Sequence, residues 1–199
     1  MTPLIAIIVL IIVIAVAAYV NAWAQSDEAG EFSAREEAER LGEDVVERDI
    51  RSVLRTGDEM FRNVKIDVGG SEREFDFIIA NENGVFVIET KNYSGILTGT
   101  ESDYNWGKYR VSRGGNVYFK EARNPIAQAE SQSGFLGRYL RSLGIRVWVE
   151  GYAAILGADS PVESERVMKN AGDVDRVIHT PGRHRLDPAD VEKIKRILT

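Results

Sequence analysis

The sequence predicts an α/β fold, strands and helices mixed along one chain, preceded by a single membrane-spanning helix. Three observations carry that expectation. Pro3 to Val20 is an unbroken apolar run. A helical hydrophobic period runs from Ala34 to about Leu54 and returns after Asn124-Pro125. Between and after these lie alternating β-forming segments bounded by Asn, Asp and Gly. The 199 residues suffice for one domain and an appendage, and 44% hydrophobic with 28% charged residues is a globular composition. The organisation expected is an anchor over 1–24, a linker over 25–33 and a domain over 34–199.

The apolar run holds 18 residues without a charge, the threshold for crossing a bilayer, and Tyr19 and Trp23 sit where an interfacial aromatic belt belongs. Ala22-Trp23-Ala24 resembles a signal-peptidase site, so a secreted domain released after Ala24 is the rival. No Lys or Arg precedes the run, and the run is longer than a signal core, which favours an uncleaved single-pass anchor. A short tail without charged side chains translocates easily, leaving the domain in the cytoplasm.

With no cysteine there is no disulfide framework, thiolate metal site or cysteine nucleophile. Only two histidines, His179 and His184, argue against a histidine-rich zinc site. The net charge of −6 is unevenly spread: 18 acids face 9 bases from Ala24 to Lys91, and 13 face 16 thereafter. A local basic track is therefore compatible with overall acidity.

Ser33 and Glu36 form a capping box for the first helix, whose apolar stripe comprises Ala38, Leu41, Val45, Val46, Ile50, Val53 and Leu54. Glu43 falls at the edge of that stripe, after Gly42, which would admit a close backbone neighbour. Phe61–Val68 alternates as a strand, with Phe61, Asn63 and Lys65 opposing Val64, Ile66 and Val68. Glu74–Ala80 is the next, with Phe75, Phe77 and Ile79 opposing Glu74, Asp76 and Ile78. Asn81-Glu82-Asn83-Gly84 turns it into the strand from Val85. Ile96–Thr98 re-enters the sheet, and Val111–Phe119 is a hairpin around Gly114-Gly115. Trp106 reads as a packing residue rather than a base-stacking one. The helix opened by Asn124-Pro125 runs to Leu143 and stops at Gly144. Arg146–Leu156 is a strand, Val167 and Val174–Ile178 suggest short ones, and Asp187-Pro188 opens a closing helix. Arg183-His184-Arg185 is a basic cluster, either merely solvated or touching phosphate.

Chemistry concentrates at Val85–Gly95. Glu89 and Lys91 share one face of a strand, which by itself describes an exposed ion pair as well as a site. The hairpin register adds information. A two- or four-residue loop puts Asp76 directly opposite Glu89, with Cβ atoms about 4.5–5.5 Å apart. Two carboxylates so placed repel, and one is protonated unless a cation lies between them. Gln128 lies in a helical first turn, where N–H groups and the dipole favour an anion.

Gly42-Glu43, Asp76 in Phe75-Asp76-Phe77-Ile78-Ile79, Ile88-Glu89-Thr90-Lys91-Asn92-Tyr93-Ser94-Gly95, Trp106 and Asn124-Pro125-Ile126-Ala127-Gln128 together resemble the nuclease-related domain family (NERD), a branch of the PD-(D/E)XK nuclease-like superfamily. The likeness covers roughly residues 41–154. Family members often carry Gln-Ile-Asp-His where this chain has Glu74-Phe75-Asp76-Phe77, so the acid is kept and the histidine is not.

The resemblance implies a restriction-endonuclease-like core, a central mixed sheet flanked by helices, and a metal-dependent phosphodiesterase site. Asp76 and Glu89 would hold Mg²⁺ (or Mn²⁺), with Glu43 completing the shell directly or through water. Lys91 would orient the attacking water or stabilise charge on the phosphate, and Gln128 would hold the water or a phosphate oxygen. The partner implied is nucleic acid, with DNA favoured over RNA, in a nuclease held at the membrane through residues 3–20. The alternative is a catalytically inactive binding module on the same scaffold.

Overall fold

The computed structural model describes residues 36–112, 114–159, 162–181 and 185–199. The anchor expected over 3–20, the linker over 25–33, the Ser33 cap, and Arg183 and His184 of the basic cluster lie outside them. Among the described residues no helix is long and apolar enough to cross a membrane. The chain divides into a unit ending at Arg40 and a unit from Leu41 to Thr199. Residues 36–40 of the first are helical and exposed. All that follows concerns the second.

Seven strands make one mixed sheet. Strands β1 (Glu59–Val68), β2 (Ser71–Asn81) and β3 (Gly84–Thr98) form an antiparallel meander, extended by β4 (Asn105–Val111) and β5 (Val117–Arg123). On the other edge of β3 lies β6 (Val149–Asp159), parallel to it, followed by the short parallel β7 (Val167–Met168). Helices α1 (residues 41–53 within this unit) and α3 (Ala171–His179) cover one face; α2 (Pro125–Ser142) and α4 (Pro188–Leu198) cover the other. The mixed sheet with flanking helices is the α/β architecture expected.

Each face has its own core. Leu136 and Leu140 of α2 and Val191 and Ile194 of α4 pack against Ile78, Ala80, Val85 and Val87. Val46 and Ile50 of α1 pack with Val174, Val177 and Ile178 of α3 against Phe77, Ile79, Phe86 and Ile88. Full burial of a side chain such as Ile50 or Leu136 is worth about 1.5–3 kcal/mol. A third cluster joins Leu97, Trp106 and Ile126 to Ala153, Ile155 and Val167. Trp106 is a packing residue, with its indole N–H donating to the Thr100 carbonyl at 2.8 Å.

Four sequence expectations need correction. Phe75 does not share a face with Phe77 and Ile79, but joins the cluster of Ile78 and Ala80, and Phe61 joins Val64 and Ile66. Both strands change face at the level of Asn63 and Asp76, where Asn63 adopts φ +53°. A left-handed residue inside a strand reverses which side the next residue presents. Val174–Ile178 is helical: Asn170 caps α3 through the Asp173 N–H at 3.1 Å, and burial at 174, 177 and 178 follows a helical period. Strand β6 begins at Val149 rather than Arg146. The stripe on α1 is narrower than expected, since Leu41 and Val45 are exposed.

The turn of the β2–β3 hairpin is tied down by side chains. Asn81 and Asn83, both buried, donate to the Ile178 carbonyl at the end of α3. Beside them His179 holds Asp175 through Nδ1 at 2.7 Å and Asp58 through Nε2 at 2.9 Å.

Candidate functional site

The ladder between β2 and β3 runs from Asn81↔Gly84 to Phe77↔Ile88, and the ladder between β3 and β4 begins only at Ile96. Both partners lie on the edge of β3 that faces away from β6. From Glu89 to Gly95 that edge therefore has no strand beside it, and its backbone donors need other partners. Thr90 N–H finds one in the Asp76 carboxylate, at 2.6 Å to Oδ2. The two-residue loop gives the hairpin the register expected. The expected rung of Asp76 opposite Glu89 is not formed, because the strands part after Phe77 and Ile88 and Asp76 reaches a backbone amide one residue further on.

The same stretch contains a bulge between Asn92 and Gly95, where β3 gains a residue against β6. Gly95, at φ +99°, allows β4 to come alongside: a Cβ there would stand 2.2 Å from the Tyr109 carbonyl oxygen. Gly42 of α1 gives way to the side chain of Asn92, whose Cβ would lie 2.8 Å from an added methyl group. The close neighbour expected at Gly42 is thus a side chain rather than a backbone.

Asp76, Glu89, Lys91 and Gln128 come together in this gap. The Glu89 side chain is 3% exposed, and its Oε1 accepts from Lys91 Nζ at 2.5 Å and from Gln128 Nε2. Its other oxygen, Oε2, is buried and has no hydrogen-bond partner. Burial and the adjacent charge of Glu89 push the Asp76 carboxyl up to about 7, with Glu43 adding to the rise and Thr90 N–H and Lys91 opposing it. Burial also works against the Lys91 ammonium, but Glu89 and Asp76 outweigh it and hold its pKa above the ordinary value. One cation thus serves two buried carboxylates, and an oxygen is left over. Leaving such an atom unpaired costs about 1–3 kcal/mol or more.

Glu43 is placed differently. Its carboxylate accepts from Arg62 Nη2 at 3.0 Å, and the same guanidinium binds Asp44 at 2.8 Å and Glu47 at 2.5 Å. It acts on Asp76 through space but is committed to another partner. Gln128 touches Glu89 itself, and its position is set by the helix cap. Asn124 is fully buried, accepts from Ile126 N–H at 2.9 Å, and donates through Nδ2 to the carbonyls of Glu101 and Asp103. That clamp fixes both the start of α2 and the loop before Trp106.

Three participants were not picked out by sequence reasoning. Thr90 acts through its backbone, which no residue preference signals. Arg62 could have been suspected, being a cation on β1 facing Glu43, Asp44 and Glu47, spaced to share one side of a helix. Tyr93 lies two residues beyond Lys91, with Lys108 Nζ 5.0 Å from its ring centre.

Among the described residues no three Asp, Glu or His side chains converge into a ready-made metal shell. Two carboxylates with an oxygen to spare are the donor type that a hard divalent ion accepts while keeping several waters. Asp76 and Glu89 are the residues that could hold one. Residues 38–156 match the family described as Nuclease-related domain (NERD). No curated protein and no solved structure gives a significant match to the chain.

Proposed function

The chain belongs to the nuclease-related domain family, and from that premise we propose that it is a membrane-anchored, metal-dependent nuclease hydrolysing phosphodiester bonds of DNA. The observation that carries this reading is the buried Glu89 Oε2 without a partner, beside an Asp76 pushed up to about 7. A purely structural ion pair would be expected to satisfy its acceptors. A divalent ion such as Mg²⁺ or Mn²⁺, held by Asp76 and Glu89, would supply Lewis-acid polarisation of the phosphate and a more acidic water.

The residues of the chain do the rest. Thr90 N–H holds the Asp76 carboxylate at the mouth of the gap, so that it stays oriented without a neighbouring strand. Lys91, 28% exposed, reaches solvent while bound to Glu89, and can turn its remaining N–H groups toward a phosphate oxygen as charge builds there. Gln128 fixes Glu89 from the first turn of α2 and can pass a second N–H to water or phosphate. Glu43 would act through water, since Arg62 occupies its carboxylate. The anchor over 3–20 would hold this chemistry at the membrane, with the domain in the cytoplasm.

One observation favours the rival, a binding module that does not cut: Phe77, where many relatives carry histidine, is fully buried in the core. A cleavage assay separates the two. The chain is incubated with supercoiled plasmid, linear duplex, single-stranded DNA and RNA, in Mg²⁺, Mn²⁺ or EDTA, with Lys91→Ala as control. Metal-dependent cleavage lost in the variant supports the nuclease; equal, metal-independent activity in both proteins would refute it.

A further inference from the structure

We infer that the β4–β5 hairpin is the surface that grips an unpaired nucleic-acid strand on its way to the Asp76–Glu89 gap. The inference rests on the nuclease reading above and adds where, and in what form, the substrate is held.

The register of the hairpin sorts its side chains into two unlike faces. On one, Lys108 stands directly opposite Lys120 and Arg110 opposite Tyr118; on the other, Tyr109 opposes Phe119 and Val111 opposes Val117. Like charges directly opposite each other weaken a strand pair. Here they line a concavity of about 640 Å³, formed by Lys108, Arg110, Val111, Ser112, Tyr118 and Lys120, with no carboxylate among them. The nearby acid of β5, Glu121, is on the opposite face and accepts from Asn105 at 3.0 Å. Arg110 and Lys120, gathered with Lys108 in a lining that contains no carboxylate, complement a polyanion in a chain of net charge −6.

The aromatic partner specifies the polyanion further. Tyr118 is 58% exposed on the basic face, across from Arg110. A flat ring among cations suits a strand whose bases are free to stack while its phosphates are neutralised; a paired duplex keeps its base faces covered. The hairpin is attached close to the site. Leu97 of β3 pairs with Lys108, and the Lys108 ammonium lies over Tyr93, two residues beyond Lys91. A lipid surface would engage the apolar face of Tyr109, Val111, Val117 and Phe119 instead, and would leave the Tyr118 ring among the cations without a role.

The test measures anisotropy of labelled single-stranded and duplex oligonucleotides bound to the full chain in detergent, in a Lys91→Ala background so that nothing is cut. Arg110→Glu with Lys120→Glu is expected to weaken single-strand binding at least tenfold and to reduce the slope of log K against log salt by about 1.4. Tyr118→Ala is expected to weaken it about fivefold, with less effect on duplex. All three positions are exposed, and unchanged thermal melts verify folding. Undiminished affinity in both variants overturns the grip, whatever the cleavage assay gives. Equal losses for single strand and duplex overturn the preference for an unpaired strand. If the charge reversal instead abolishes a preference for phosphatidylglycerol over phosphatidylcholine nanodiscs and leaves oligonucleotide binding intact, the face belongs to lipid and the inference fails. Hairpin-dependent binding by a chain that cuts nothing upholds the grip and removes only the nuclease.

Discussion

Two clusters in this molecule set a nitrogen-bearing side chain between two carboxylates, and they are built to opposite ends. At His179 the hydrogen-bond partners are matched: one ring nitrogen meets Asp175 at 2.7 Å, the other Asp58 at 2.9 Å, and Asp58 also takes the Arg55 N–H at 2.6 Å. At Lys91 they are not: Glu89 keeps an oxygen without a partner and Asp76 is pushed up to about 7. The first cluster joins the turn after α1 to the end of α3 and needs nothing more. The second is electrostatically incomplete as it stands, and incompleteness of that kind is what a ligand site requires.

The sharpest way to break this contrast is to remove the nitrogen-bearing side chain from each cluster. Lys91→Ala should lower nucleic-acid cleavage per folded molecule by about 10²–10³, measured as initial rates on labelled substrate, a loss beyond the stability it costs by leaving the buried Glu89 carboxylate without its ammonium. His179→Ala should do the reverse. It leaves the Asp58 carboxylate without its Nε2 partner, which costs about 1–3 kcal/mol in a urea titration, with cleavage per folded molecule retained. If His179→Ala abolished cleavage without loss of stability, the two clusters would have been assigned the wrong way round.

A finer contrast lies in pH. Asp76 is raised from 3.8 to about 7 by folding, so the metal-free folded chain keeps a proton that the unfolded chain has lost. Stability should then fall as pH rises from about 4 to about 7, by at most about 1.4 kcal/mol per pH unit. Asp76→Asn should flatten that slope in thermal melts recorded in EDTA, and a slope that persists would remove Asp76 as its source. Asp175 is held below its ordinary 3.8 by the His179 hydrogen bond. The stability it contributes is present above that value and fades as pH falls through the lower folded pKa. Loss of this acid-side effect in Asp175→Asn should be the smallest change, because the group is partly exposed and screened by solvent.

What could be read in the sequence divides along physical lines. The hairpin register was legible because a two-residue Glu82-Asn83 loop leaves few ways to pair Asn81 with Gly84. The approach of Asp76, Glu89 and Lys91 followed from that register, and Gln128 from the Asn124-Pro125 cap. The face change at Asn63 was not legible, because a left-handed asparagine inside a strand leaves no mark on the hydrophobic pattern. Val174–Ile178 misled for a related reason: its β-branched residues suit a strand, but the Asn170 cap and burial by two neighbours decide for a helix. The commitment of Glu43 to Arg62 joins positions 19 apart on different elements, a pairing that no local periodicity reports.

Strand β3 runs from Gly84 to Thr98 through the bulge between Asn92 and Gly95, and carries Glu89 and Lys91 in its first half and the attachment of the hairpin in its second. Eight residues separate Glu89 from Leu97, about 25 Å of extended chain. Since that span is a strand within a sheet and not a linker, it acts as a ruler. The distance between where a strand is held and where it is cut would be a fixed number of nucleotides, set by the backbone. Inserting or deleting a pair of residues at the bulge between Asn92 and Gly95 would then shift the length of the fragments produced.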